Sequence, residues 1–273
     1  MNILGIIGFG ENPAACLLRD GKITSFVEEE RFTRLKGSDG LFPKGAVTYC
    51  LTEQNLTLQD IDFIAFGWDS NKYPWEMLRG FTFNYLKYRS RANSAFQVNK
   101  KSSSIITAFE SIVEFHPDRI KAHIQEGLRD AGFFGKIPEI KFVNHHLAHA
   151  YSSYFCSPFQ KAGILTIDGS GEDMCTQLYI AEGEKIKVVE SYPIPHSLGW
   201  FYAAITQYLG FTPYRDEGKV MGLAALGESR RHTNKWCEPL SKILKITTSG
   251  YEIDPIYTKV GGHFYGSRFT DAF

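Results

Sequence analysis

The chain has 273 residues, 43% hydrophobic and 14% aromatic, enough for one large or two ordinary globular domains with real cores. Lysine plus arginine and aspartate plus glutamate each number 30, so the net charge is zero, which argues against a broad nucleic-acid surface and leaves only a local patch open. No apolar run reaches the ~18 residues of a membrane span, and five scattered cysteines without a CxxC pair imply no disulfide framework, which fits a reducing, cytoplasmic setting.

The N-terminus, Met1 to Gly8, has no basic leader or cleavage pattern and reads as a strand over residues 3–8. It runs into a turn-rich loop, Gly8-Phe9-Gly10-Glu11-Asn12-Pro13. Ala14 to Arg19 reads as a second strand, Asp20-Gly21 as a hairpin turn and Lys22 to Val27 as a third strand. Further along, Gly45 to Glu53 reads as a helix and Phe63 to Gly67 as a strand. Residues 72–116 interleave aromatics with bases (Tyr73, Trp75, Phe81, Phe83, Tyr85 and Tyr88 with Arg79, Lys87, Arg89 and Arg91). Such a stretch can stack single-stranded nucleic acid, but a helical insert with one core-facing stripe is the commoner origin. Asp118 to Ala131 has the amphipathic period of a helix stopped by Gly132, and Ile140 to Val143 reads as a strand.

That strand feeds Asn144-His145-His146-Leu147-Ala148-His149-Ala150. In a helix, His145 and His149 stand at i and i+4 and share a face. Two imidazoles so placed can bind a divalent metal with a carboxylate completing the set, or they can be a solvated pair. Ile164 to Ile167 reads as a strand, and Asp168 stands where it meets a glycine-rich turn, Asp168-Gly169-Ser170-Gly171-Glu172-Asp173. Met174 to Ala181 and Lys185 to Val189 read as two more strands around Glu182-Gly183-Glu184. At a shift of 161 residues, Ile3, Leu4, Ile6, Gly8, Gly10, Glu11 and Leu17 meet Ile164, Leu165, Ile167, Gly169, Gly171, Glu172 and Leu178. The same order of strand, turn, strand, turn, strand thus occurs twice, far too widely spaced for a solenoid. A duplicated unit of this kind predicts a two-lobed α/β protein with the two glycine-rich turns facing across a cleft. Gly8 and Gly10 in one turn, and Gly169, Ser170 and Gly171 in the other, would then offer N–H groups to a phosphate, unless both are ordinary hairpins. Pro195 to Tyr202 leads a helix through Tyr208, and Lys219, in a loop that then starts a helix, is either a phosphate contact or a solvated lysine. After residue 230 the sequence is polar and less informative.

Several segments, in order, resemble the NodU/CmcH family of carbamoyltransferases. They are Val27-Glu28-Glu29-Glu30-Arg31-Phe32-Thr33-Arg34 with Lys36 and Phe42-Pro43; the 144–150 segment; Ser157-Pro158-Phe159; Thr166-Ile167-Asp168-Gly169; His196-Ser197-Leu198-Gly199; and Lys219-Val220-Met221-Gly222-Leu223-Ala224. The resemblance implies a duplicated actin/sugar-kinase/Hsp70-like (ribonuclease H-like) fold, related to the tRNA threonylcarbamoyladenosine transferases. The expected lobes are residues 1–160, with the insert at 72–116, and 161–273, the second incomplete before a YrdC-like region. It implies Fe(2+) or another divalent metal on His145, His149 and Asp168, with a further aspartate from a later segment. It implies ATP and carbamoyl phosphate as the source of carbamoyl adenylate, made by a YrdC-like domain or chain, and a small-molecule hydroxyl as acceptor. Lys36 falls at the family's lysine near the adenylate. The candidate bases are His146, Glu11 and His196.

Two departures accompany the resemblance. The family's His-Asp pair in the first glycine-rich loop is replaced by Gly10-Glu11-Asn12-Pro13, and the family runs about twice as long, so the chain is expected to be a fragment or one half of a split system. A remnant serving a partner chain and a tRNA threonylcarbamoyl-type transferase are the other readings. Neither the acceptor, the choice of iron over zinc nor the oligomeric state, a homodimer included, follows from the sequence.

Overall fold

Asn2–Ile7 (β1), Ala14–Arg19 (β2) and Lys22–Glu28 (β3) form the expected antiparallel meander. The computed structural model describes residues 1–76, 78, 79, 112–227, 236–254, 265 and 267–270; most of the expected 72–116 insert lies outside them. The chain divides into two compact units, Met1–Pro74 with Ile112–Ala148, and Trp75–Ser111 with His149–Phe273.

In the first unit Phe63–Phe66 (β4) and Glu139–Phe142 (β5) extend the meander, giving the order β3-β2-β1-β4-β5. The β1–β4 and β4–β5 pairs are parallel, so these strands end on the same edge. Mixed pairing of this order is the ribonuclease H-like lobe of the actin/sugar-kinase/Hsp70-like fold. After a short helix, Glu30–Thr33 (α1), come Lys44–Thr52 (α2) and Pro117–Asp130 (α3), which cover the sheet. Ile120, Ile124 and Leu128, one turn apart on α3, pack with Leu4, Ile6, Leu17, Val47, Leu51 and Phe66 in one core. The Glu29 carboxylate closes the start of α2 by accepting the N–H groups of Gly45 (3.0 Å) and Ala46 (2.8 Å). Phe42 lies over Gly127, where any side chain on α3 would strike its ring.

His145–Phe155 (α4) follows β5 after a two-residue connection and carries the chain from the first unit into the second. Lys161–Gly171 (β6), Met174–Glu182 (β7) and Lys185–Pro193 (β8) make the second meander. β6 runs four residues past the expected end at Ile167. A register shift between Ile167 and Gly171 absorbs the glycines, and the turn itself is Glu172-Asp173, with Glu172 at φ 47°.

The repeat persists in the pairing. Leu4 faces Leu17 in the first meander, and Leu165 faces Leu178 in the second, at the shift of 161 read from the sequence. The register irregularity after Leu17 recurs after Leu178. The environments differ: Leu4 is 0% exposed and Leu165 60% exposed.

Leu198–Tyr208 (α5), Glu217–Leu223 (α6) and Cys237–Ile243 (α7) follow. The polar region after 230 holds more order than its sequence suggests. Leu244–Thr247 (β9) and Gly250–Ile253 (β10) form a hairpin, and Ile243, Ile253 and Phe269 join Trp200, Ala203 and Ala204 in a second core. All five cysteines are free thiols. Among the described residues no helix is long and apolar enough to cross a membrane.

Equal sequence and unequal burial make the repeat a direct test. Leu4→Ala should cost about 2–5 kcal/mol, because it opens a cavity in a closed core. Leu165→Ala at the matching position should stay within ~0.5 kcal/mol. Urea unfolding of both variants measures the difference, and similar losses would contradict the burial assigned to the two lobes.

Candidate metal centre

Asn144 sets the helix that carries the histidines. Its side-chain oxygen accepts the Leu147 N–H at 3.0 Å and its carbonyl the Ala148 N–H at 2.8 Å, an N-cap directly after β5. His145 and His149 then stand one turn apart on α4. His145 Nδ1 lies 3.1 Å from the Gly67 carbonyl oxygen. A carbonyl only accepts, so Nδ1 carries the proton, and in the neutral ring the lone pair then lies on Nε2. His149 Nε2 lies 3.2 Å from Asp168 Oδ2. Within the second unit, His149 and Asp168 thus bring an imidazole and a carboxylate together, and His145 precedes His149 by one turn of the same helix.

The Asp168 turn is built from the His196-Ser197-Leu198-Gly199 segment. Ser197 Oγ donates to the carbonyl oxygens of Gly169 (2.6 Å) and Asp168 (3.2 Å) and accepts the Trp200 N–H (3.0 Å), capping α5. Gly199 lets α5 approach: a Cβ there would sit 2.5 Å from Gly169 N and 2.6 Å from the Asp168 carbonyl. Asp168 Oδ1 accepts the Gly169 N–H at 2.6 Å, which leaves Oδ2 on the histidine side.

The other expected residues are distributed as follows. Lys36 is exposed, its ammonium 3.3 Å from Glu30 Oε2, and the same oxygen accepts the Gly37 N–H at 2.9 Å. The Gly37 N–H first, then the lysine, hold the Glu30 carboxyl below its usual range. His146 is fully buried, its ring edge-on to His145. Glu11 is exposed, and His196 is half-buried with Nδ1 accepting the Ile253 N–H at 3.2 Å. Gly8 lies tight against Pro43 and Leu41, while Gly10 is open on its Cβ side. The Phe9 N–H donates to the Leu41 carbonyl (3.2 Å) and the Gly40 N–H to that of Gly10 (2.8 Å), tying the first glycine-rich turn to residues 40–41. In the second turn the Gly169 N–H already serves Asp168, Ser170 is half-buried and Gly171 buried within β6. Lys219 stands inside α6 rather than in the loop before it, paired with Asp216 at 2.6 Å, because Asp216 and Glu217 already start the helix.

Residues 2–256 match the family model for the carbamoyltransferase N-terminus. The chain belongs to this family. An uncharacterized protein of Synechocystis, sll1178, is 34% identical over 231 residues, 84% of this chain and 35% of its own length. The nodulation protein NolNO of Sinorhizobium fredii is 34% identical over 224 residues, 82% of this chain and 29% of its own. Nodulation protein U of Rhizobium tropici is 25% identical over 225 residues. The chain thus spans about a third of the length of these relatives. Among solved structures, YeaZ from Pseudomonas aeruginosa aligns at 12% identity and a TM-score of 0.33, covering 72% of this chain and 70% of that one, too weak a likeness to carry an argument.

The residues that the family pattern drew attention to, and the structure gives a job, include Ser197 and Gly199. The motif marked them; only the fold shows that they shape the turn of Asp168. Ser197→Ala should cost about 1 kcal/mol for the lost cap. Gly199→Val should go further, displacing the Asp168 turn and weakening whatever binds there. Thermal unfolding and metal titration of both variants check this, and full binding by Gly199→Val would count against the close approach.

A second expectation concerns alkali. Burial, the largest influence on both, pushes the Tyr179 and Tyr251 phenols up to about 12. Tyr251 donates to Thr176 Oγ1 (2.8 Å) and the His196 carbonyl (3.0 Å), and Tyr179 donates to Gln177 Oε1 (2.6 Å). Below the unfolded value of about 10 both states keep the proton. Between there and about 12 the unfolded chain alone ionises, so stability should fall as pH rises across that window. Urea midpoints at rising pH should show the fall, and Tyr251→Phe should make it shallower.

Proposed function

We propose that this chain is the acceptor-site portion of an O-carbamoyltransferase. In this reading the carbamoyl group moves from carbamoyl adenylate to a hydroxyl of a small-molecule natural product. The adenylate would come from carbamoyl phosphate and ATP on a YrdC-like domain or chain. The acceptor oxygen bonds to the carbamoyl carbon, the bond from that carbon to the phosphate oxygen breaks, AMP leaves with the electron pair, and the hydroxyl proton passes to a base.

The observation that carries the reading is the His149–Asp168 pair, with His145 one turn earlier on the same helix, within a carbamoyltransferase-family sequence. The donor types fit Fe(2+) or another divalent metal: two imidazoles and a carboxylate, with His149 and Asp168 3.2 Å apart. A metal bound there supplies Lewis acidity toward a carbonyl or phosphate oxygen. The remaining work falls to the chain. Lys36, tethered to Glu30 at rest, is suited to neutralise the leaving phosphate. His146 is enclosed and His196 already accepts at Nδ1, so Glu11, the most exposed candidate, is the base this reading favours.

Metal analysis of the purified chain should find a transition metal that the His145→Ala/His149→Ala double variant lacks, and chelation should lower the thermal midpoint. A metal-free protein whose stability ignores chelators would sink the metal assignment. With carbamoyl phosphate and ATP, AMP should form only when a YrdC-like partner is added; AMP from this chain alone would refute the division of labour.

A further inference from the structure

The parallel β4–β5 pair brings two chain exits together. Phe66 is in register with Phe142, and the Val143 N–H extends the ladder by donating to the Phe66 carbonyl at 2.9 Å. Beyond it, Gly67-Trp68 leaves β4 beside Asn144-His145 leaving β5. The carboxyl ends of parallel strands are where α/β sheets hold ligands.

Here the two exits fix one imidazole twice. The Gly67 carbonyl takes the Nδ1 proton at 3.1 Å. The Trp68 indole lies over the His145 ring, centroids 4.5 Å apart and planes 32° from parallel. A single hydrogen bond leaves a ring free to swing about the donor–acceptor line; a second aromatic plane against its face removes that freedom. Trp68 is itself clamped, by Tyr73 (5.4 Å, edge-on) and Phe115 (5.0 Å), which touch each other at 4.9 Å. The His146 ring stands edge-on to His145 at 6.0 Å. Packing this dense around one imidazole is costly to arrange for an ordinary surface histidine. It is the support that a metal ligand needs, because outer groups set the tautomer and the ring orientation.

We propose that Trp68, together with the Gly67 carbonyl, is the positioning element that presents Nε2 of His145 to the metal. The proposal rests on the metal reading above and assigns Trp68 no contact with substrate. The tryptophan also becomes a reporter, since a paramagnetic ion on His145 would lie close enough to the indole to quench it.

The test uses the full chain and Co(2+) alone. Calorimetric titration should give Trp68→Leu a Co(2+) affinity ~10- to 100-fold below that of the unsubstituted chain, the range expected for lost outer-shell support. Trp68→Phe, which keeps a ring over His145, should stay within about threefold. Co(2+) should quench the unsubstituted chain strongly, and Trp68→Phe should bind the ion with part of that quenching gone, Trp200 beside the Asp168 turn supplying the rest. Nitrogen-15 correlation spectra of the metal-free chain should show His145 protonated at Nδ1. Equal affinity in Trp68→Leu, unaltered quenching in Trp68→Phe, or an Nε2 proton on His145 would each overturn the positioning role while leaving the metal site standing. No Co(2+) binding by the unsubstituted chain would instead overturn the metal reading, and this proposal with it. Should Trp68→Leu fail to fold, the tautomer and the Trp68→Phe quenching still decide.

Discussion

The parallel pairing of β1, β4 and β5 is the constraint on which the histidine end of the candidate site depends. Parallel strands finish on one edge, so residues distant in sequence emerge as neighbours there. Gly67 and Trp68 meet His145 across 77 or more positions of sequence for this reason. The Asn144 cap then converts the exit of β5 into a helix without a loop between them, which fixes His145 and His149 on one face. Moving the cap by one residue would turn that face by about 100°, one residue's share of a 3.6-residue turn.

The duplication was legible because it is written in local pattern: apolar strands, paired turns and the same leucines at a constant shift. Even the pairing register and the irregularity after the second strand's leucine follow that shift. The difference in burial was not legible. Leu4 and Leu165 are the same residue at equivalent places, and only α2 and α3 packing over the first sheet make one of them core. The strand ending at Gly171 rather than Ile167 was missed for a similar reason. A bulge lets glycines, which read as a turn, remain in the ladder.

For the site, spacing exposed His145 and His149, and the strand end exposed Asp168. What holds them was hidden, because Ser197, Gly199, Gly67 and Trp68 act through contacts that no short window of sequence contains. The glycine-rich turns are also less open than their composition suggests. The Phe9 and Gly169 N–H groups are already bonded, to Leu41 and to Asp168. Of the carboxylates at the second turn, Asp168 takes the Gly169 N–H and Asp173 is paired with Arg79 at 2.8 Å.

The run Glu28-Glu29-Glu30-Arg31 shows why residue type alone misleads about charge. Glu29 is almost wholly enclosed and is spent on the first N–H groups of α2, so its negative charge serves the helix end rather than solvent. Glu30 is spent on the turn at Gly37 and on the Lys36 ammonium. The consequence for Lys36 is a competition. In the proposed reaction a phosphate at Lys36 would have to draw the ammonium from a carboxylate whose charged form the Gly37 N–H already favours. The lysine is the exposed partner, while the Glu30 carboxylate is largely covered, so solvent screens the pair mainly from the lysine side. The glutamate therefore stores the lysine close to its loop without trapping it. A lysine free in solvent would have to lose more side-chain entropy on meeting the same phosphate.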